Sequence, residues 1–141
     1  MTAKEYLNQM WWIDKEIREK EQEKEYLRAK VESCGSRGLD GMPRGTGTKD
    51  MTDVIIKLVD LKAYVNMQED RLIDLREKIT KQIEVMRNPK SRVILSHRYL
   101  MRQKWEQISK ELNYDLSSLH RHHKKALKEF ERTHPEIRKL R

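Results

Sequence analysis

The stretch that decides the fold of the C-terminal third is residues 88–130, NPKSRVILSHRYLMRQKWEQISKELNYDLSSLHRHHKKALKEF. Asn88 followed by Pro89 predicts the start of a helix, because Asn caps a helix well and Pro suits its first position. Apolar side chains at steps of three and four then predict one helix over about 89–102 and a second over about 104–112. Those predicted to be buried are Val93, Ile94, Tyr99 and Leu100 in the first and Trp105, Ile108 and Leu112 in the second.

Asn113 and Tyr114 form a short turn, after which Asp115 is a good N-cap for a third helix over about 116–132. One arc of this helix is largely apolar and holds Leu119, His123, Ala126, Leu127 and Phe130. The candidate DNA-binding residues lie elsewhere on the helix and are Ser117, Ser118, His120, Arg121, Lys124, Lys125 and Lys128. Arg pairs bidentately with guanine, while Lys and Ser hold phosphates or bases, so this segment is typical of a helix-turn-helix.

The distribution of charge favours a polyanionic partner for the same third of the chain. Residues 1–87 hold 17 Lys/Arg and 17 Asp/Glu, whereas residues 88–141 hold 14 Lys/Arg and 6 Asp/Glu, so the whole net charge of +8 lies in the second segment. A neutral segment joined to a basic one suggests that the basic one binds nucleic acid. All five His also lie there, and protonation of His120 and His122 near pH 6 is expected to tighten DNA binding, with His123 at the rim of the core.

The N-terminal part predicts two long helices that pair as an antiparallel, coiled-coil-like hairpin over residues 1–87. Its first heptad-spaced seam is Tyr6, Met10, Ile13, Ile17, Lys20, Lys24, Leu27 and Val31. Its second is Val54, Leu58, Leu61, Val65, Gln68, Leu72, Leu75, Ile79, Gln82 and Met86, widened by Ile55, Ile56 and Val59. All five Gly lie in 33–49, which predicts a flexible loop, and Thr52 is the expected N-cap of the second helix. Two helices bury little, so a homo-oligomer, with a dimer favoured, is expected.

The segment Asn88–Phe130 resembles the helix-turn-helix of the fourth region of bacterial sigma factors and is similar to the ArpU/RinA-like group of phage-encoded regulators. The residues that carry the resemblance are Asn88-Pro89, Arg92, Leu95, Arg98-Tyr99-Leu100, Trp105-Glu106-Gln107-Ile108-Ser109, Leu112-Asn113-Tyr114, His120-Arg121 and Ala126-Leu127. It implies a transcriptional regulator of phage or prophage genes, often late genes, in the cytoplasm of a bacterial host. It also implies that Ser117, Ser118, Arg121 and Lys124 face DNA and that RNA polymerase is a further partner. Ser109 and Asp115 depart from the Ala and the Ser or Thr common in the group.

The predicted architecture is therefore all-α, with the hairpin in 1–87, a helix-turn-helix domain in 88–132 and a basic tail in 133–141. The alternative from another class is a phage DNA-packaging component such as a small terminase subunit; a coiled-coil scaffold that binds an acidic protein is a third. No enzyme, cofactor or metal site is expected, because no nucleophile–base pair is visible and His120 and His123 lack the further ligands that zinc needs. The adjacent Trp11 and Trp12 cannot both enter one helix interface, so at least one is expected to meet another surface. No membrane span is expected, because no apolar run approaches about 18 residues.

Overall fold

The computed structural model describes residues 1–37 and 47–141, and within these ranges it contains helices and no β-strand, which confirms the all-α prediction. The long helices are α1 (Ala3–Arg37) and α2 (Gly47–Glu84). They are followed by α3 (Pro89–Leu95), a π-helix (Ser96–Leu100), α4 (Trp105–Leu112), α5 (Leu116–Thr133) and a 3-10 helix (Pro135–Lys139).

The two long helices extend further than their sequences indicate. The predicted loop 33–49 is wrong at both ends, because α1 continues to Arg37 and α2 begins at Gly47; residues 38–46 of that loop lie outside the described residues. A Gly inside a helix costs only about 1 kcal/mol relative to Ala, which a long helix tolerates. Thr52, predicted as an N-cap, therefore lies inside α2.

Burial follows both predicted heptad seams. Every seam position of 1–31 and 54–86 is buried or partly buried, including the polar Gln68, which is 7% exposed. The proposed widening of the second seam is wrong: Ile55, Ile56 and Val59 are 47%, 54% and 63% exposed. A packed helix hides an apolar stripe only somewhat over 100° wide, and these three side chains fall outside it.

The chain divides into two compact units, Met1–Trp12 with Leu72–Arg141 and Ile13–Arg71. In the second unit, the Tyr64 hydroxyl hydrogen-bonds the Glu16 carboxylate, and the Lys57 ammonium lies 3.3 Å from Glu23. Residue numbers along α1 thus rise as those of their α2 partners fall, which is the order of antiparallel contact.

In the first unit the core joins segments that are far apart in sequence. Tyr6 and Leu7 of α1 pack with Ile83 of α2 and with Ala126 and Phe130 of α5 in one buried cluster. The 3-10 helix adds Ile137, which is 1% exposed, so residues predicted as a basic tail contribute to this core. Met1 contacts the segment that follows the 3-10 helix, since its N-terminal ammonium donates to the Leu140 carbonyl at 2.7 Å.

The break between α2 and α3 agrees with the sequence. The Asn88 side chain accepts from the Lys90 amide at 3.0 Å, with Pro89 at the first helical position. The predicted first helix of the C-terminal third is α-helical only to Leu95 and continues as the π-helix. The predicted burial of Val93 is wrong, because this side chain is 40% exposed in a surface hollow beside Leu112.

Candidate nucleic-acid interface

A short turn joins α4 to α5 and sets the start of α5. Asn113 adopts the left-handed conformation with φ of 57°, which ends α4 in a way that Asn tolerates well. The Ser109 hydroxyl donates to the Tyr114 carbonyl across the turn, an interaction that an Ala at this position would lack. Asp115 then accepts from the Ser118 amide at 2.7 Å, as the sequence predicts for an N-cap. Hydrogen bonds from the Ser118 side chain and backbone amide lower the pKa of the Asp115 carboxyl, which stays ionised at the positive end of α5.

The face of α5 opposite its buried side carries the residues predicted to contact DNA. Leu119, Ala126 and Phe130 are fully buried. The predicted residues that are exposed are Ser117, His120, Arg121, Lys124, Lys125 and Lys128. Ser118 is partly exposed, and its hydroxyl accepts from Arg121 Nη2 at 3.1 Å. The structure therefore brings the predicted residues onto one solvent-facing side of a single helix, with Arg121 held near the N-terminal turn.

The acidic residues within α5 are engaged by other elements. Glu129 accepts from the Asn88 amide at 3.1 Å and from the Ser91 hydroxyl at 2.7 Å. Glu131 accepts from the Ala3 amide at 3.0 Å and lies 3.6 Å from Arg138. Because these carboxylates are directed to the flanks of α5, they neutralise little of its cationic face.

An aromatic cluster supports one edge of that face. The Trp105 ring lies edge-on to His120, with ring centroids 4.9 Å apart, and edge-on to His123 at 4.6 Å. The Arg98 guanidinium lies 4.6 Å from the centroid of the Trp105 ring and donates to the Gln103 carbonyl at 3.0 Å. A cation over an indole face is attracted by the ring quadrupole, so Arg98, Trp105 and His120 fix one another.

His123 belongs to the core rather than to the exposed face. Its Nε2 lies 2.8 Å from the Tyr99 hydroxyl, and the side chain is 8% exposed, as its predicted rim position indicates. Burial, followed by smaller effects of the charges of Lys4, Arg98 and His120, lowers the pKa of His123 to about 4. Burial likewise raises the pKa of Tyr99 to about 12. Near neutral pH the tyrosine therefore keeps its proton and can donate it to a neutral imidazole.

A family model matches residues 33–131, and its description is "Protein of unknown function" (DUF1492). The chain belongs to the DUF1492 family. No curated protein and no solved structure matches the chain. The matched segment contains α2, α3, α4 and nearly all of α5, so the predicted DNA-binding residues from Ser117 to Lys128 lie inside it. The relationship to the ArpU/RinA-like group stays a prediction.

Other residues of this DUF1492 member join the candidate interface although the sequence reasoning left them out. Arg132 is exposed one helical turn after Lys128, and extending the same periodicity by four residues would have found it. The sequence relates Arg98 to the ArpU/RinA-like regulators but assigns it no contact. Its position over the Trp105 ring depends on the packing of two helices. Lys4 lies more than a hundred positions from α5 in sequence, so no local pattern relates the two.

Residues 1–37 and 47–141 contain no group of three or more His, Cys, Asp or Glu side chains arranged to hold a metal ion. Among the helices in these ranges, none is both long enough and apolar enough to cross a membrane.

Proposed function

We propose that this protein binds double-stranded DNA in a sequence-dependent manner, with α4, the turn and α5 acting as a helix-turn-helix. The observation that carries the proposal is the exposed cationic face of α5, which runs from Ser117 to Lys128 opposite a buried side that is apolar apart from His123. A helix about 10–12 Å wide with its side chains fits the major groove, where base edges are distinguishable.

The side chains of this face suit two kinds of contact, hydrogen bonds to base edges and contacts to backbone phosphates. Arg121 stands one turn into α5, and a guanidinium at this place can donate two parallel hydrogen bonds to guanine. Lys124, Lys125 and Lys128 are flexible point charges that suit phosphates. Ser117 and Ser118 at the start of the helix offer hydroxyls to bases or to the backbone.

The biological role that this interface supports best is control of phage or prophage transcription. The resemblance of Asn88–Phe130 to the helix-turn-helix of ArpU/RinA-like regulators supports that role, and a late-gene activator would also contact RNA polymerase. We further propose that α1 and α2 form a helical hairpin that sets the number and spacing of the DNA-binding heads. Ile55, Ile56 and Val59 expose an apolar surface on α2, which favours pairing with a second copy of the chain.

The first experiment locates the DNA site and then tests the reading face. Footprinting on genomic DNA flanking the gene should show a protected site, and its symmetry would report the arrangement of the heads. Fluorescence anisotropy then compares that site with a scrambled duplex. Arg121→Ala should weaken specific binding by about 1–3 kcal/mol and blunt sequence preference, whereas Lys128→Ala should weaken both duplexes alike.

The matched control is Lys62→Ala, an exposed lysine of α2, which should leave both affinities unchanged. Unchanged specific binding by Arg121→Ala would overturn the assigned reading face, and no binding by the wild type would overturn the function. Mass in solution separates regulation from the packaging alternative: a dimer or tetramer supports a regulator, and a ring of about eight or more protomers supports packaging.

A further inference from the structure

The first turns of α1 are fixed against one flank of α5. The Ala3 amide donates to Glu131 Oε1 at 3.0 Å, and Ala3 itself is fully buried. The Tyr6 and Phe130 rings lie 6.1 Å apart between centroids, within the core of the same compact unit. The N-terminus of α1 is thus a fixed neighbour of the helix that is proposed to enter the DNA groove.

Lys4 directly follows Ala3 and carries a positive charge beside the contact between Ala3 and Glu131 of α5. Its side chain is exposed, whereas Ala3 and Leu7 on the adjacent face of α1 are buried. Its ammonium is near enough to His123 of α5 to help lower the pKa of that imidazole. Arg98 from the π-helix contributes to the same lowering of the His123 pKa, so the positive charges of two further elements act on this side chain of α5.

No carboxylate in the part of the chain that the structure describes forms an ion pair with Lys4. Lys20 pairs with a Glu three residues after it and Lys24 with a Glu three residues before it, whereas the corresponding neighbours of Lys4 are Leu7 and Met1. The neighbouring Glu5 instead accepts from the Thr2 amide at 3.0 Å. Within residues 1–37 and 47–141, Lys4 forms no ion pair, which leaves its ammonium available to an external anion.

We propose that Lys4 contacts a backbone phosphate of the same DNA duplex that α5 reads. The assignment rests on the proposed DNA-binding function and extends the interface from the C-terminal third to the first turn of the chain. A lysine on the flank of a groove-binding helix meets the sugar–phosphate strand rather than base edges, and its compact charge suits a phosphate. Lys4 therefore contributes affinity without sequence preference.

The test measures affinity of the full-length protein against salt concentration by fluorescence anisotropy. The probes are a duplex with the footprinted site and a scrambled duplex of equal length. Lys4→Ala should weaken binding to both by about threefold to tenfold and reduce the magnitude of the salt slope by about 0.9, the value for one lost phosphate contact. Lys4→Arg should retain both quantities, since the positive charge stays in place.

The matched control is Lys30→Ala, an exposed lysine of the same helix that belongs to the other compact unit, Ile13–Arg71. It should match the wild type in affinity and slope. Circular dichroism of Lys4→Ala should show the wild-type helix content, because Ala is the best helix former.

The outcomes separate this inference from the proposed function. If Arg121→Ala loses specificity but Lys4→Ala binds with wild-type affinity and slope, the phosphate contact is overturned while the DNA-binding function stands. A loss confined to the specific duplex with an unchanged salt slope also overturns it, since a phosphate contact acts on every sequence. Absence of DNA binding by the wild type overturns both.

Discussion

The two compact units bury their side chains in different ways. In the unit Met1–Trp12 with Leu72–Arg141, the core joins residues of α1, α2, α3, the π-helix, α5 and the 3-10 helix, with Phe130 fully buried among them. In the unit Ile13–Arg71, the described part buries apolar side chains of α1 and α2 alone: Ile13, Ile17, Leu27, Leu61 and Val65. The first is a core of many segments, and the second is a seam between two helix segments.

The two units also differ in whether their buried polar groups have hydrogen-bond partners. In the first unit, buried polar groups have partners: Ser91 donates to Glu129, and His123 lies against the Tyr99 hydroxyl. In the second unit, Gln68 is buried and its Oε1 has no hydrogen-bond partner within the described residues. A core of many segments thus supplies partners to its buried polar groups, while the two-helix seam leaves one buried amide oxygen without a partner among the described residues.

The largest expected effect comes from truncating the centre of each unit. Phe130→Ala removes a fully buried ring from the core of the first unit and should lower the free energy of unfolding by about 3–5 kcal/mol. Leu61→Ala, in the thinner seam of the second unit, should cost about 2–3 kcal/mol, because a less enclosed site relaxes more easily. Urea unfolding followed by circular dichroism measures both. Equal losses of unfolding free energy in the two variants would contradict the difference between the units, since they would show equally dense packing.

A smaller effect should appear on acidification and belongs to the first unit. The pKa of His123 in the folded protein, about 4, lies below the ordinary value of 6.5, so the unfolded chain binds this proton first. The stabilising contribution is therefore complete above pH 6.5 and is lost as pH falls from 6.5 towards 4. The loss should be about 2–3 kcal/mol, at about 1.4 kcal/mol for each pH unit and reduced because the ring lies at the rim of the core.

Carboxylates also titrate in this range, so the readout is a difference between two proteins. The decrease in unfolding free energy between pH 7 and pH 4 should be smaller in His123→Gln than in the wild type, because Gln cannot take up the proton. The same decrease in both proteins would show that other groups cause the acid sensitivity.

The smallest effect should be a gain of stability in the second unit. Gln68→Leu removes the unpartnered amide oxygen from the seam and should raise the free energy of unfolding by about 1 kcal/mol, although its hydrogen bond with Tyr64 at 3.0 Å is lost. Asn66→Leu, at an exposed position of the same helix, is the control and should change stability by less than about 0.5 kcal/mol. Thermal unfolding compares them; a destabilised Gln68→Leu protein would show that the amide is fully satisfied in solution.

Much of the candidate site could be predicted because it depends on one helix. The cap at Asp115, the left-handed turn residue Asn113 and the alternation of apolar and cationic side chains along α5 are local features of the chain. The position of Arg98 over Trp105 could not be predicted in this way, because it depends on how the π-helix meets α4. The exposure of Val93 has the same origin, since a helix pattern shows which residues share a face but not how far a neighbour covers it.

By itself, the sequence determined that the chain is helical, where its heptad seams run, where α3 and α5 begin, and which side of α5 carries the positive charge. These properties follow from backbone propensity, capping and periodicity, which act over a few residues. The packing of distant segments, in contrast, places the start of α1 against α5, directs Glu129 and Glu131 to hydrogen bonds with other elements, and sets Arg98 over Trp105. Contacts between residues more than a hundred positions apart cannot be predicted from the periodicity of the sequence, because each depends on the packing of complete helices against one another.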